Sequence, residues 1–218
     1  MDSLIDIFMT DLNFSWYLIY LMTLFLFDIS PGVTFVTTAN NTIKNRSLLS
    51  GIFTALGAAT SDGISALIGF FFCTTLEKYE TIFKGAQLVG MGVLFYFAIR
   101  MLLSKPKEYS IEGVKQSRTN WLSYKSGFLI TFTNIGIATV IISVISQFYK
   151  YVDSGAGYCL LLFSVPVMSF LSFFIVACGV YFLKLWKLFG KYAWVVDKIA
   201  GAVLIFFGVM NVIEILNL

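Results

Sequence analysis

Six long apolar stretches limit what this chain can fold into. Each is long enough to cross about 30 Å of hydrocarbon, which takes about 20 helical residues. The stretches lie at 14–37, 48–74, 82–103, 126–149, 155–183 and 199–217. They are continuous runs without the alternating period of a membrane β-barrel, and helices are the other structure that can span a bilayer. The sequence therefore predicts an all-α polytopic membrane protein with six transmembrane helices.

The composition excludes the soluble and the disordered alternatives. Of the 218 residues 58% are apolar and 12% are charged, and the mean hydropathy is +0.86. Soluble domains carry about 25% charged residues, and a globular core of this size cannot bury so much apolar surface. A disordered chain would need low hydrophobicity.

The basic residues predict the orientation of the helices. Twelve of the 15 Lys and Arg residues fall on one side of the predicted bundle, which we call the basic end. They are Lys44, Arg46, Arg100, Lys105, Lys107, Lys115, Arg118, Lys125, Lys184, Lys187, Lys191 and Lys198. Because basic loops stay in the cytoplasm, we expect this end to be cytoplasmic and both termini to lie outside.

The six spans can be divided into two halves of three, which indicates an internal repeat. Because each half has an odd number of spans, the second half is upside down relative to the first, as in an inverted repeat. We expect a first three-helix half at 1–103, a basic cytoplasmic linker at 104–125 and a second three-helix half at 126–218.

Two acidic residues lie inside predicted spans, Asp28 in the first and Asp62 in the second. A carboxylate at mid-membrane depth costs about 2.5–3.5 kcal/mol on insertion scales, so such a residue usually faces a polar cavity or a partner. Burial disfavours the charged form of a carboxyl group, which suits both residues to carry protons. Helix packing with a protonated or hydrogen-bonded acid is the alternative interpretation.

Two spans are interrupted by helix-breaking or polar residues. The first contains Ser30-Pro31-Gly32, and the fourth contains Thr133-Asn134-Ile135-Gly136. Paired interruptions in corresponding halves indicate a transporter binding site, although a proline kink alone is common in membrane helices. By residue count both interruptions fall toward the basic end, whereas a strict inversion would mirror their depths. The candidate substrate and proton pathway comprises Asp28, Ser30, Pro31, Gly32, Asp62, Thr133, Asn134 and Gly136.

The residue inventory argues against catalysis and against a resident metal. The chain has no histidine, and its three cysteines form no CxxC pair. Histidine-based hydrolase sites and histidine-ligated metals are therefore excluded, and no cofactor is implied. An intramembrane aspartyl pair of Asp28 and Asp62 is conceivable, but nothing else supports an enzyme.

Short motifs resemble those of the lysine exporter (LysE) superfamily over about residues 18 to 217. The matching residues are Ser30-Pro31-Gly32, Asn45-Arg46, Gly51, Gly57, Ser61-Asp62, Gly90 to Arg100, Gly127-Phe128, Thr133-Asn134, Gln147-Phe148 and Lys198 to Gly208. The chain departs from the family at Val33, Ser61, Ile135 and Gly136, where Pro, Gly, Pro and often Lys are usual. Homoserine/threonine exporters are the branch that it resembles most.

This resemblance implies a secondary transporter of the bacterial inner membrane. It would export small amino acids or related solutes, driven by the proton gradient or the membrane potential. The expected partners are a small-molecule substrate, protons and lipid, with no nucleic acid; a homo-oligomer is compatible with the sequence. Two alternatives stay open, a divalent metal cation exporter of the same superfamily and a non-transporting membrane assembly protein.

Overall fold

The structure is a computed structural model, and every regular element within the residues that it describes is helical. The described residues are 14–30, 32–76, 78–105, 119–152, 154–183, 194–195, 197–206 and 208–209. Pro31, most of the predicted linker and the end of the predicted sixth span lie outside them.

Seven α-helices, a 3-10 helix (Tyr149–Tyr151) and a final helical segment follow one another along the described residues. The helices are α1 (Phe14–Ile29), α2 (Val33–Lys44), α3 (Leu48–Leu76), α4 (Glu80–Leu102), α5 (Asn120–Phe132), α6 (Ile135–Phe148) and α7 (Gly155–Leu183), and the segment covers 197–206. Helices α3, α4 and α7 are each long and apolar enough to cross a membrane. The chain is therefore a multi-pass helical membrane protein.

The predicted first and fourth spans are each two helices joined at a sharp bend. Helices α1 and α2 meet at 60°, and α5 and α6 meet at 68°. Each pair passes as one span by length and composition, which brings the candidate spans to five within the described residues. The first predicted span, 14–37, therefore covered α1 and only the start of α2. Hydropathy cannot detect such a break, because apolar residues continue on both sides of it.

The order of elements recurs along the chain. A bent pair is followed by a helix of 29 residues, α3 after the first pair and α7 after the second. Helix α4 then follows α3, and the segment 197–206 follows α7.

Helix α3 lies at the centre of the bundle and packs most extensively against α5 and α7. A side chain at Gly57 would collide with the backbone of Tyr124 and Phe128 in α5. A side chain at Gly127 would collide with the carbonyl of Thr54 in α3. Small residues let membrane helices approach closely, so these two glycines bring the α3 and α5 backbones into direct contact.

Aromatic side chains fill the end of the bundle opposite the basic end. The ring of Trp16 stacks on Tyr151 with centroids 4.8 Å apart, and Tyr149 stacks on Tyr158 at 5.0 Å. The buried Tyr20 hydroxyl donates to the carbonyl of Leu161 at 2.7 Å. We call this region the aromatic end, and its members are Trp16, Tyr17, Tyr20, Phe70, Phe83, Phe148, Tyr149, Tyr151 and Tyr158.

The contact between α3 and α5 predicts a strong effect of a single methyl group. Gly127→Ala is expected to destabilise the protein by about 1–3 kcal/mol, because its methyl group meets backbone that cannot move aside. Gly92→Ala is the matched control, since Gly92 in α4 has open space around its Cα. Thermal unfolding in detergent measures both variants. Equal melting temperatures would contradict this role of Gly127.

Candidate functional site

A cavity of about 810 Å³ lies where the two bent helix pairs meet. This volume falls within the range of about 300–1,000 Å³ that is usual for small-molecule sites. Its polar and charged lining residues are Asp28, Ser30, Thr34, Tyr96, Arg100, Ser104, Lys105, Asn134 and Asp197. The apolar part of its wall includes Phe27, Phe35, Phe97, Met101 and Phe173.

The two helix breaks are neighbours in space. The hydroxyl groups of Thr34, just after the first break, and Thr131, just before the second, lie 3.0 Å apart in a buried hydrogen bond. The first turns of α2 and α6 both line the cavity. Helix amino termini carry unpaired N–H groups and a partial positive charge, so both turns favour negative groups in the cavity.

Asn134 shapes the second break. Its side-chain oxygen accepts a hydrogen bond from the amide of Ile137 at 3.4 Å, which caps the start of α6. A Cβ atom at Gly136 would lie 3.0 Å from the Phe97 ring and 3.2 Å from the Asn134 side-chain oxygen. Phe97 in turn packs edge-to-face against Phe27, with centroids 6.4 Å apart. The Phe97 ring therefore lies beside Gly136 of the second break and packs against Phe27 near the end of α1.

Charged groups of both signs line the cavity. Asp28 comes from the end of α1, Arg100 from the end of α4, Lys105 from the residues after α4, and Asp197 from the final helical segment. Ser30 donates a hydrogen bond to Asp197 at 2.5 Å, although the two residues are 167 positions apart. Lys105 and Asp197 belong to the basic end, so the cavity reaches that end of the bundle.

Asp62 lies behind the cavity wall. Its side chain is buried in α3 and is not among the lining residues. Ser169 of α7 donates to one carboxylate oxygen at 2.6 Å, while the other oxygen has no hydrogen-bond partner within the part of the chain that the structure describes.

The structure brings together five of the eight residues that the sequence singled out. Asp28, Ser30, Gly32, Asn134 and Gly136 line one cavity. Asp62 lies behind them, and Pro31 is outside the described residues.

Thr133 lies apart from this group. Its side chain is exposed, and its hydroxyl donates to the carbonyl of Leu129 in its own helix at 2.7 Å. Only part of the polar run that marks the second break therefore faces the cavity.

Sequence reasoning missed Tyr96, Arg100, Lys105 and Asp197 as lining residues. The distribution of Lys and Arg residues placed Arg100 and Lys105 at the cytoplasmic side of the bundle. Such a distribution predicts orientation and does not indicate which residues line a cavity. For Asp197 the signal available was an acid just before the final apolar stretch. Within the described ranges, no three Cys, Asp or Glu side chains gather so that they could hold a metal ion.

The cap on α6 predicts a graded mutational effect. Asn134→Ala removes the cap and is expected to cost about 1 kcal/mol, whereas Asn134→Ser restores a capping oxygen and most of that stability. Thermal unfolding of the two variants in detergent measures the difference. A serine variant no more stable than the alanine variant would contradict the capping role.

The comparison with family models identifies the chain. The model described as LysE type translocator matches residues 25–214, which is most of the sequence. No curated protein matched the chain, and no solved structure did. The match confirms the family that the motifs indicated. The family is one of transporters, and membership implies a small-molecule substrate and a lipid environment. The chain therefore belongs to the LysE type translocator family.

Proposed function

We propose that this protein is a secondary transporter that exports small amino acids or related solutes from the bacterial cytoplasm in exchange for protons. The observation that carries the proposal is the cavity at the two helix breaks, which combines groups of both signs within an apolar wall. An amino acid carries both signs and needs such a mixed environment.

The negative end of the substrate is expected to lie near the helix amino termini. The first turns of α2 and α6, together with Arg100 and Lys105, supply positive potential in the cavity. Arg100 is suited to bind a carboxylate with two parallel hydrogen bonds. The positive end of the substrate would then lie on the acidic side of the cavity, which includes Asp28.

The proposed topology has six spans in two inverted halves, with the basic end in the cytoplasm. The positive charge of the basic end and the recurring order of elements support it. With this topology the cavity faces the cytoplasm, and the aromatic end separates it from the outside. Export requires the aromatic end to part as one half rocks against the other.

Asp62 and Asp28 are the proposed proton carriers. Asp62 is buried, and one of its carboxylate oxygens has no hydrogen-bond partner among the described residues, while Asp28 lines the cavity. A buried carboxylate without a compensating cation favours protonation. We propose that a proton is taken up in exchange for each exported substrate, and that Asp62 releases it on the cytoplasmic side.

The cavity favours an amino acid over a divalent metal ion as the exported species. Arg100 and Lys105 would repel a free metal cation. The described residues also lack a cluster of three acidic or thiol ligands. Homoserine and threonine are the first candidates, because the motifs resemble that branch of the family.

Replacement of Asp62 should uncouple export from the pH gradient. In vesicles loaded with threonine at a clamped membrane potential, one pH unit across the membrane should change the steady-state ratio of substrate about tenfold per coupled proton. Asp62→Asn cannot titrate, so this response should disappear.

Ser65→Ala is the matched control for Asp62→Asn. Ser65 is buried one turn away in the same helix, and its hydroxyl donates to the carbonyl of Ser61 in its own backbone. This variant should keep the wild-type response to pH. An Asp62→Asn variant that also keeps it would contradict the proposed role of Asp62 as a proton carrier.

Cysteine accessibility tests the proposed orientation. In a background with Cys73→Ala, Cys159→Ala and Cys178→Ala, a membrane-impermeant maleimide should label Gly155→Cys in intact cells. Lys105→Cys should be labelled only after permeabilisation, because it belongs to the basic end. The reverse pattern would overturn the cytoplasmic assignment of the cavity.

A further inference from the structure

Asp197 contributes a carboxylate to the cavity from the far end of the chain. It lies in the final helical segment, and its side chain is half-buried. One of its oxygens accepts the hydroxyl hydrogen of Ser30 at 2.5 Å. Ser30 is the first residue of the first helix break, so this bond joins the break to the final segment.

Close packing against α4 holds Asp197 at this position. A Cβ atom at Gly201 would lie 2.7 Å from the carbonyl oxygen of Ala98, and one at Gly208 would lie 2.7 Å from the ring of Phe95. Asp197 is four residues before Gly201, which puts both on the same helix face. The face that contacts α4 therefore carries Asp197 into the cavity, near the end of α4.

The two carboxylates of the cavity differ in position. Asp28 comes from the end of α1, whereas Asp197 comes from the final helical segment. Asp197 already accepts a hydrogen bond from the Ser30 hydroxyl group, so its carboxylate is oriented to receive a donor from the substrate.

We propose that Asp197 binds the ammonium group of the exported amino acid, in place of the Ser30 hydroxyl. This assignment rests on the proposed function and separates two roles within it, since Asp197 binds substrate while Asp28 and Asp62 carry the proton. An ammonium group brings a full charge and three N–H donors, so it competes successfully with one neutral hydroxyl. Substrate binding thereby releases Ser30 and loosens the tie between the first break and the final segment.

The experiment compares an amino acid with an analogue that lacks the ammonium group. Vesicles are loaded with L-alanine, L-threonine, L-leucine or L-lysine, and the substrate that the wild type exports fastest is used. Its 2-hydroxy acid, in which a hydroxyl replaces the ammonium group, serves as the inhibitor. Asp197→Asn should raise the KM for the amino acid roughly 10- to 100-fold, while the inhibition constant of the hydroxy acid stays unchanged.

Three further variants complete the test. Asp197→Glu should recover part of the affinity, because it keeps the charge. Ser30→Ala should lower the KM for the amino acid, because it removes the donor that competes with the substrate for Asp197. Lys198→Gln is the matched control and should leave both constants unchanged. Lys198 is exposed outside the cavity lining, with its ammonium group 4.7 Å from the centroid of the Trp194 ring.

Several outcomes would overturn the assignment, and they differ from a failure of the proposed function. If Asp197→Asn raises both the KM for the amino acid and the inhibition constant of the hydroxy acid, Asp197 has a structural role. The same conclusion would follow if Ser30→Ala raised the KM as Asp197→Asn does. Unchanged constants would show that the ammonium group binds elsewhere. A wild type that exports none of the four amino acids would refute amino acid export itself, and this assignment with it.

Discussion

A backbone polar group in hydrocarbon must find a partner within the protein, and this constraint explains where the site of this chain lies. An unbroken membrane helix pairs its own N–H and C=O groups, whereas a broken one leaves several of them free. The breaks after Ile29 and after Phe132 interrupt this regular pairing inside the bundle. Both adjoin one cavity, which is lined by helix ends and by charged side chains.

Close packing around α3 makes that arrangement possible. Gly57 and Gly127 allow the α3 and α5 backbones to touch, and the hydrogen bond between Thr34 and Thr131 joins the two breaks nearby. The aromatic end is tightly packed, while the cavity extends to the basic end. Among the described residues, aromatic contacts fill one end of the bundle and the cavity reaches the other, an arrangement that suits one of the two states of the proposed exporter.

Sequence reasoning was most successful where the signal is local. Apolar run length predicted helices, and Ser30-Pro31-Gly32 and Asn134 marked breaks that the structure contains. It failed where an outcome depends on packing between distant segments. The contact of Ser30 with Asp197 spans 167 positions, and the entry of Arg100 into the cavity depends on how α4 packs against the final segment. Two-half organisation and six spans stay predictions, since much of the linker and the last span lies outside the described residues.

The most direct test of the central claim is export from vesicles that contain the purified protein. The panel comprises L-alanine, L-threonine, L-leucine, L-lysine and manganese ions, each measured against vesicles without protein. Our account predicts protein-dependent release of at least one amino acid and no release of manganese, because the cavity carries charges of both signs and lacks a cluster of metal ligands in the described residues. Release of manganese without any amino acid would contradict it.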